Sequence, residues 1–161
     1  MIHLCMKFPG RSKTYVLKDT PVSQQRCAMG NGRLYSKQKS LEMAYRFMLS
    51  QQHAGQPMFK GPLLMVTSFV FPFPSSFPKK KRSCPPPLPA CFCEHKPKLR
   101  WLKDTKPDNS NCLKMYEDVA KLIIFQDDAQ IASHFMIKVY DDIGQEHVEF
   151  TITELYGPED H

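Results

Sequence analysis

Acidic residues are nearly missing from the first two-thirds of this 161-residue chain: residues 1–103 hold only Asp19, Glu42 and Glu94 against 18 Lys and Arg. Long apolar runs are missing too. The most apolar stretch, LLMVTSFVF at 63–71, is too short to span a bilayer and carries Thr67 and Ser68, so no membrane segment is expected. The opening MIHLCMKFPG lacks the apolar run of a secretory signal. Six cysteines are scattered, which reads as reduced thiols in a cytoplasm. Glycine numbers only seven, and GNG at 30–32 reads as a turn, so there is no phosphate-binding loop. No Ser-His-Asp or Cys-His arrangement stands out. CPPPLPACFCEH (84–95) lacks two well-formed ligand pairs, so Cys84, Cys91, Cys93 and His95 are not expected to bind zinc.

The acids are concentrated at the other end. Residues 104–161 hold 13 acids and four lysines, a charge of −9 against +15 for residues 1–103 and +6 overall. A polyanion-binding surface joined to a cation-binding site would show this split. A basic arm and an acidic tail that merely neutralise each other would show it as well. With 42% hydrophobic residues, the chain can bury one real core and reads as one domain.

Along the chain, IHLCMKF (2–8) and TYVLK (14–18) alternate as short strands. QQRCAMGNGRLYS (24–36) reads as a turn or loop carrying Arg26 and Arg33. Ser36 then opens a helix to about His53, with Leu41, Ala44, Tyr45, Met48 and Leu49 at helical spacing. Leu63 to Phe71 is apolar on both faces, hence a central strand. Residues 72–107 contain nine prolines and the run KKKR, and no regular element is expected there. A second helix is predicted from about Asn111 to Phe125. Cys112, Tyr116, Val119, Ala120 and Ile123 form its apolar face, and Lys114, Glu117, Asp118 and Lys121 its polar one. Ile131–Tyr140 and His147–Leu155 alternate as strands, and DDIGQ between them predicts an antiparallel hairpin.

Asp108 precedes the second helix, and Asp127 and Asp128 follow it. Magnesium prefers carboxylate oxygens, and phosphodiester hydrolysis uses such ions. The plainer reading makes Asp108 a helix cap and Asp127-Asp128 an ordinary turn.

The pattern KPDNSNCLK, a helix, then DDAQI and a strand with Lys138 resembles the RusA family of Holliday junction resolvases. PVSQQR with GRLYSKQK (21–39), the 63–82 strand with its basic tail, and VEFTITEL (148–155) are similar to further parts of that family. The likeness runs from about residue 14 to 155, leaving an N-terminal extension (1–13) and a short C-terminal tail (156–161) outside one nuclease domain with a basic, proline-rich loop at 72–107. It implies an α/β (α+β) fold, a small mixed sheet of four to five strands packed with two main helices, in a homodimer. It further implies a cytoplasmic, bacterial or phage-encoded, Mg²⁺-dependent endonuclease (Mn²⁺ being a second candidate) that cuts four-way DNA junctions in recombination and repair.

Position by position, the resemblance makes Asp108 and Asp128 catalytic metal ligands, Asp127 their acidic neighbour and Lys114 a catalytic or junction-binding lysine. Lys79, Lys80, Lys81 and Arg82 would meet phosphates, with Arg26, Arg33, Lys37 and Lys39 as a second patch. Phe73, Phe77 and Trp101 are candidates for stacking on unpaired bases. One departure stands out. The family usually has a second aspartate two residues after the first, and this chain has Ser110. A neutral hydroxyl is a weaker ligand, which leaves a catalytically weak or inactive junction-binding protein as the alternative. A helix of about 14 residues is roughly 21 Å long. The carboxylates at its two ends are therefore expected to stay apart within one subunit, and two such helices packed antiparallel across a two-fold axis would bring the start of one to the end of the other.

Overall fold

The computed structural model of the chain describes residues 10–24, 28–30, 33–35, 38–75, 100–141 and 146–155. The expected strand at 2–8, and Arg26, Lys37, Phe77, the 79–82 run and the Cys84–His95 group lie outside these residues. The elements are β1 (Ser12–Leu17), β2 (Ala28–Gly30), β3 (Arg33–Tyr35), α1 (Lys39–His53), β4 (Leu63–Pro72), β5 (Arg100–Leu102), α2 (Asn109–Ala120), β6 (Ile131–Asp141) and β7 (His147–Glu154). A single 3₁₀ turn, Asp128–Gln130, leads into β6.

Five strands form one mixed sheet in the order β1-β7-β4-β6-β5. The α+β class, the small mixed sheet and the two main helices are as expected. β4 is central: it pairs antiparallel with β7 and parallel with β6. The predicted β6–β7 hairpin is therefore wrong. A local turn signal shows where a chain reverses, not which strand it pairs with. β4, apolar on both sides, takes the place between them. Its partner β6 runs parallel to it, which requires a crossover, and α2 lies in that connection.

The core lies between one sheet face and the helices. Along β4, Leu63, Met65, Thr67, Phe69 and Phe71 are buried and point to the helices. Val148, Phe150 and Ile152 of β7 and Tyr15 and Leu17 of β1 continue that face. α1 buries Tyr45, Leu49 and His53, spaced four apart on one face. α2 buries Cys112, Leu113, Met115, Tyr116, Val119 and Ala120. Between the helices Tyr45 and Tyr116 stack at 5.9 Å. The Tyr116 hydroxyl accepts from the Val22 amide (3.0 Å), and the Tyr45 hydroxyl donates to Asp19 (3.0 Å). Buried phenols of this kind are retained where each hydroxyl finds a partner.

Four boundaries differ from the sequence reading. α1 starts at Lys39 rather than Ser36. β5 lies inside the proline-rich segment, where a three-residue strand survives by pairing with the end of β6. Ala28–Gly30 and Arg33–Tyr35 pair as two short strands where only a loop was expected. α2 ends at Ala120, five residues early. Leu122 adopts a left-handed conformation (φ 65°), and its amide donates to the Phe125 carbonyl (2.7 Å). The tight loop still buries Ile124 and Phe125, so the apolar run continues after the helix has stopped.

Thr67 is fully buried between Phe150 and Met136 on the neighbouring strands, and its hydroxyl has no hydrogen-bond partner among the described residues. An unsatisfied buried hydroxyl costs about 1–3 kcal/mol. Thr67→Val keeps the shape and removes the polar atom. It is expected to raise stability by about 1 kcal/mol in denaturant unfolding; a loss of stability would show that the hydroxyl is satisfied.

Candidate functional site

Asp108 stands at the N-cap of α2 in extended conformation, and its carbonyl accepts the Cys112 amide (3.1 Å). Its side chain makes no capping hydrogen bond and is exposed. The plain reading of Asp108 as a helix cap thus accounts for its backbone but leaves its carboxylate unused. The segment before it is pinned from below. The Lys138 ammonium, on β6, donates to the carbonyls of Thr105 (2.9 Å) and Pro107 (2.7 Å). Beside it Lys103 and the Thr105 hydroxyl both bond the Tyr140 hydroxyl, each at 3.0 Å. Burial alone would raise the Tyr140 phenol, but these bonds and the Lys103 charge hold it below its usual value. The Asp108 end of α2 thus brings three lysines, Lys103, Lys106 and Lys138, beside Asp104 and Asp108.

The other end of α2 is acidic. Asp127 caps the turn before β6, its Oδ1 accepting from the Ala129 amide (2.9 Å). Gln130 reaches back to accept from the amides of Gln126 (2.8 Å) and Asp127 (3.0 Å). Lys121 bridges both acids, 3.0 Å from Asp127 Oδ2 and 3.0 Å from Asp128 Oδ1. The Ala129 amide, then the Lys121 ammonium, pull the Asp127 carboxyl down to about 2. Asp127 is therefore occupied as a cap and an ion-pair partner. Asp128 spends one oxygen on Lys121. Arg46 of α1 fixes this end of the helix, donating to the carbonyls of Asp118 (2.6 Å) and Lys121 (3.2 Å). A guanidinium on terminal carbonyls matches the helix dipole.

Between the two ends, Lys114 is exposed on α2, and Glu117 is half-buried with Oε1 3.3 Å from His134 Nε2. Burial, then the charges of Asp128 and Asp118, raises Glu117, while Lys114 opposes the shift. Burial lowers His134, so this contact is a hydrogen bond of a neutral imidazole near neutral pH. Ser110 is exposed in the first turn of α2, two residues after Asp108.

Within one chain these groups do not converge. A 12-residue helix separates the two ends by about 18 Å at 1.5 Å per residue. β6 gives a second measure, since Ile131 to Lys138 spans about 23 Å of strand. Among the described residues, no group of three or more His, Cys, Asp or Glu lies close enough to hold a metal ion. The donors suit a hard divalent cation, as all are carboxylate oxygens, but each end of the helix supplies only part of a set. Of the cationic candidates for phosphate contact, Arg33 falls in β3 and Lys39 opens α1. Phe73 stacks on Tyr140 at 5.2 Å and so belongs to the fold beside the Asp108 end. No described helix is long and apolar enough to cross a membrane.

Sequence reasoning missed Lys121, Gln130, Arg46 and the anchoring role of Lys138. One signal was legible: Asp127-x-x-Gln130 is the spacing of a capping box. The others depend on contacts that only the fold creates.

A mixed sheet backed by two helices, basic in its first part and carrying aspartates around its second helix, defines a DNA endonuclease class once compared with known families. The family model described as Endodeoxyribonuclease RusA matches residues 19–153. The chain belongs to the RusA endodeoxyribonuclease family, whose members act on branched DNA junctions. No curated protein matches the chain.

The Asp127 pKa gives a test. Its folded value lies below its ordinary 3.8. Its contribution to stability is thus present above about pH 4 and lost as pH falls toward 2. Lys121→Met removes one of the two leading causes. The Asp127 carboxyl, followed by carbon NMR, is then expected to titrate at higher pH; an unmoved titration would dissociate Lys121 from Asp127.

Proposed function

We propose that this protein is a divalent-metal-dependent, structure-selective endonuclease that cuts four-way DNA junctions as a homodimer. The observation that carries this reading is the exposed carboxylate of Asp108, unused by the helix it caps and anchored through Lys138. It sits in a family of junction-cutting nucleases. Asp108 of one subunit and the partner's Asp128 would hold Mg²⁺, with Asp127 next to them; Mn²⁺ has the same oxygen-ligand chemistry. When bound, the ion supplies a nucleophilic water and neutralises phosphate charge. The chain's own residues do the rest. Lys138 holds the 105–107 backbone so that Asp108 keeps its place. Lys121 restrains Asp128 through its Oδ1. Lys114, exposed on the outer face of α2, stabilises charge on the reacting phosphate. Arg26, Arg33, Lys37 and the Lys79, Lys80, Lys81, Arg82 run grip the junction backbone.

Ser110 supports a second reading, a junction-binding protein of the same fold with weak or no cleavage. Its hydroxyl stands where the family usually has an aspartate, which removes one negative charge from the Asp108 end.

A labelled four-way junction with and without Mg²⁺ separates the readings. Paired symmetric nicks that need the metal support the nuclease, and binding without nicks supports the second reading. Asp128→Asn is expected to lower cleavage about 100-fold or more while leaving binding in place. Ser110→Asp should leave cleavage the same or faster. Cleavage at full rate in Asp128→Asn would remove Asp128 from the site. Replacing Lys79, Lys80, Lys81 and Arg82 with alanine should weaken junction binding and lower the salt dependence by a slope of about 3–4; an unchanged slope would take these four off the DNA.

A further inference from the structure

Residues 19–24 form a strap that follows β1 and lies against both helices. Asp19 accepts from the Tyr45 hydroxyl of α1 (3.0 Å), and the Val22 amide donates to the Tyr116 hydroxyl of α2 (3.0 Å). The Ser23 carbonyl accepts from the side chain of Gln38, buried just before α1 (2.9 Å). Pro21 is buried, and Val22 packs against the core. Gln24 finishes the strap with two bonds to α2. Its backbone amide donates to the Asn111 carbonyl (2.9 Å), and its side-chain Nε2 donates to Asp118 Oδ2. Asn111 lies in the first turn of α2, so the strap ends over the part of the helix that follows Asp108 and carries Ser110.

Most of this hold is apolar burial or main-chain bonding. The Gln24–Asp118 pair is different. Both side chains are half-buried, and a partly solvated bond of this kind contributes modestly to stability. It does fix a direction. Asn111 and Asp118 stand two turns apart, about 10 Å along the helix axis. A residue held at both points has its main chain at the start of α2 and its side chain reaching back along the helix. Arg26 follows Gln24 by two residues, and two residues of chain span at most about 7 Å.

We propose that the Gln24–Asp118 contact is a positioning device for DNA. Asp118, acting through Gln24, sets where the basic segment that begins at Arg26 departs from α2, beside Asp108. The proposal rests on the nuclease reading above and adds Gln24 and Asp118 to it as positioning residues that do not themselves touch DNA. Orienting the segment before DNA arrives removes part of the ordering entropy from the binding step. An acid on a helix that faces a polyanion otherwise weakens binding by repulsion, so the contact and the charge act in opposite directions.

Junction binding without metal, and cleavage with it, test the contact in the full chain. Asp118→Ala is expected to weaken binding about tenfold although it removes a negative charge. KM should rise in proportion while kcat stays within about two-fold, the mark of lost uniform binding. Asp118→Asn keeps an oxygen acceptor for Gln24 and loses the charge, so it should bind at least as tightly as wild type. Gln24→Ala removes the other partner without altering α2, and it carries the test if Asp118→Ala does not fold. It should match Asp118→Ala, and the double variant should be no worse than either single one. A merely structural role predicts a different pattern, a lower unfolding midpoint and a lower kcat at unchanged KM. Tighter binding in Asp118→Ala, as charge removal alone would give, overturns the proposal. So do additive effects of the two substitutions, or weakened binding in Asp118→Asn. If the wild type cuts the junction and the alanine variants match it, the nuclease reading stands and only the positioning role is wrong. A wild type that neither binds nor cuts the junction removes both.

Discussion

A twelve-residue helix held at both ends cannot bring its flanking carboxylates together, and the arrangement of this protein follows from that. α2 is anchored over the sheet by Cys112, Leu113, Met115, Tyr116, Val119 and Ala120, all buried. Lys138 ties down the segment entering it, and Arg46 holds its last carbonyls. The helix is thus a rigid spacer of about 18 Å between Asp108 and the Asp127-Asp128 pair. β6 runs beside it and repeats the same separation. On the function proposed above, chemistry that uses carboxylates from both ends draws on two chains.

The two ends differ in character. At the first, Asp108 has an uncommitted carboxylate among lysines that are themselves engaged: Lys138 with backbone carbonyls, and Lys103 with Tyr140 and the ring of Phe71. At the second, Lys121 and the Ala129 amide hold the acids in place and keep Asp127 ionised far into acid. Glu117 lies between them, pushed up by burial and by its acidic neighbours. Carboxylates crowded near one another repel unless a cation intervenes, and Lys121 is the cation that this chain supplies.

Much of the fold was legible because it rests on periodicity. β4 could be placed centrally from its two apolar faces, and the buried stripe of α2 was readable from Cys112, Tyr116, Val119 and Ala120. The end of α2 was not. Ile123, Ile124 and Phe125 extend the apolar run, and only the left-handed turn at Leu122 shows that a loop buries Ile124 and Phe125 and half-buries Ile123. The pairing of β6 was misread for a related reason. Turn residues mark a reversal, but the choice of partner depends on which strand is most apolar, and β4 won. At the site, sequence picked out Asp108, Asp127 and Asp128 as a group. It could not tell that Asp127 is spent on a cap while Asp108 is not, because that distinction depends on Ala129 and Lys121 being in reach.

The central claim is that each site needs two chains. It is tested most directly by mixing two inactive variants, Asp108→Asn and Asp128→Asn, under conditions that exchange subunits. In a shared-site dimer, one mutant supplies an intact Asp128 and the other an intact Asp108, so each heterodimer regains one complete site. Mixing is expected to restore junction nicking to a substantial fraction of one wild-type site. If the mixture stays as inactive as its parts while the subunits demonstrably exchange, both aspartates act within one chain or not at all, and the shared site is wrong.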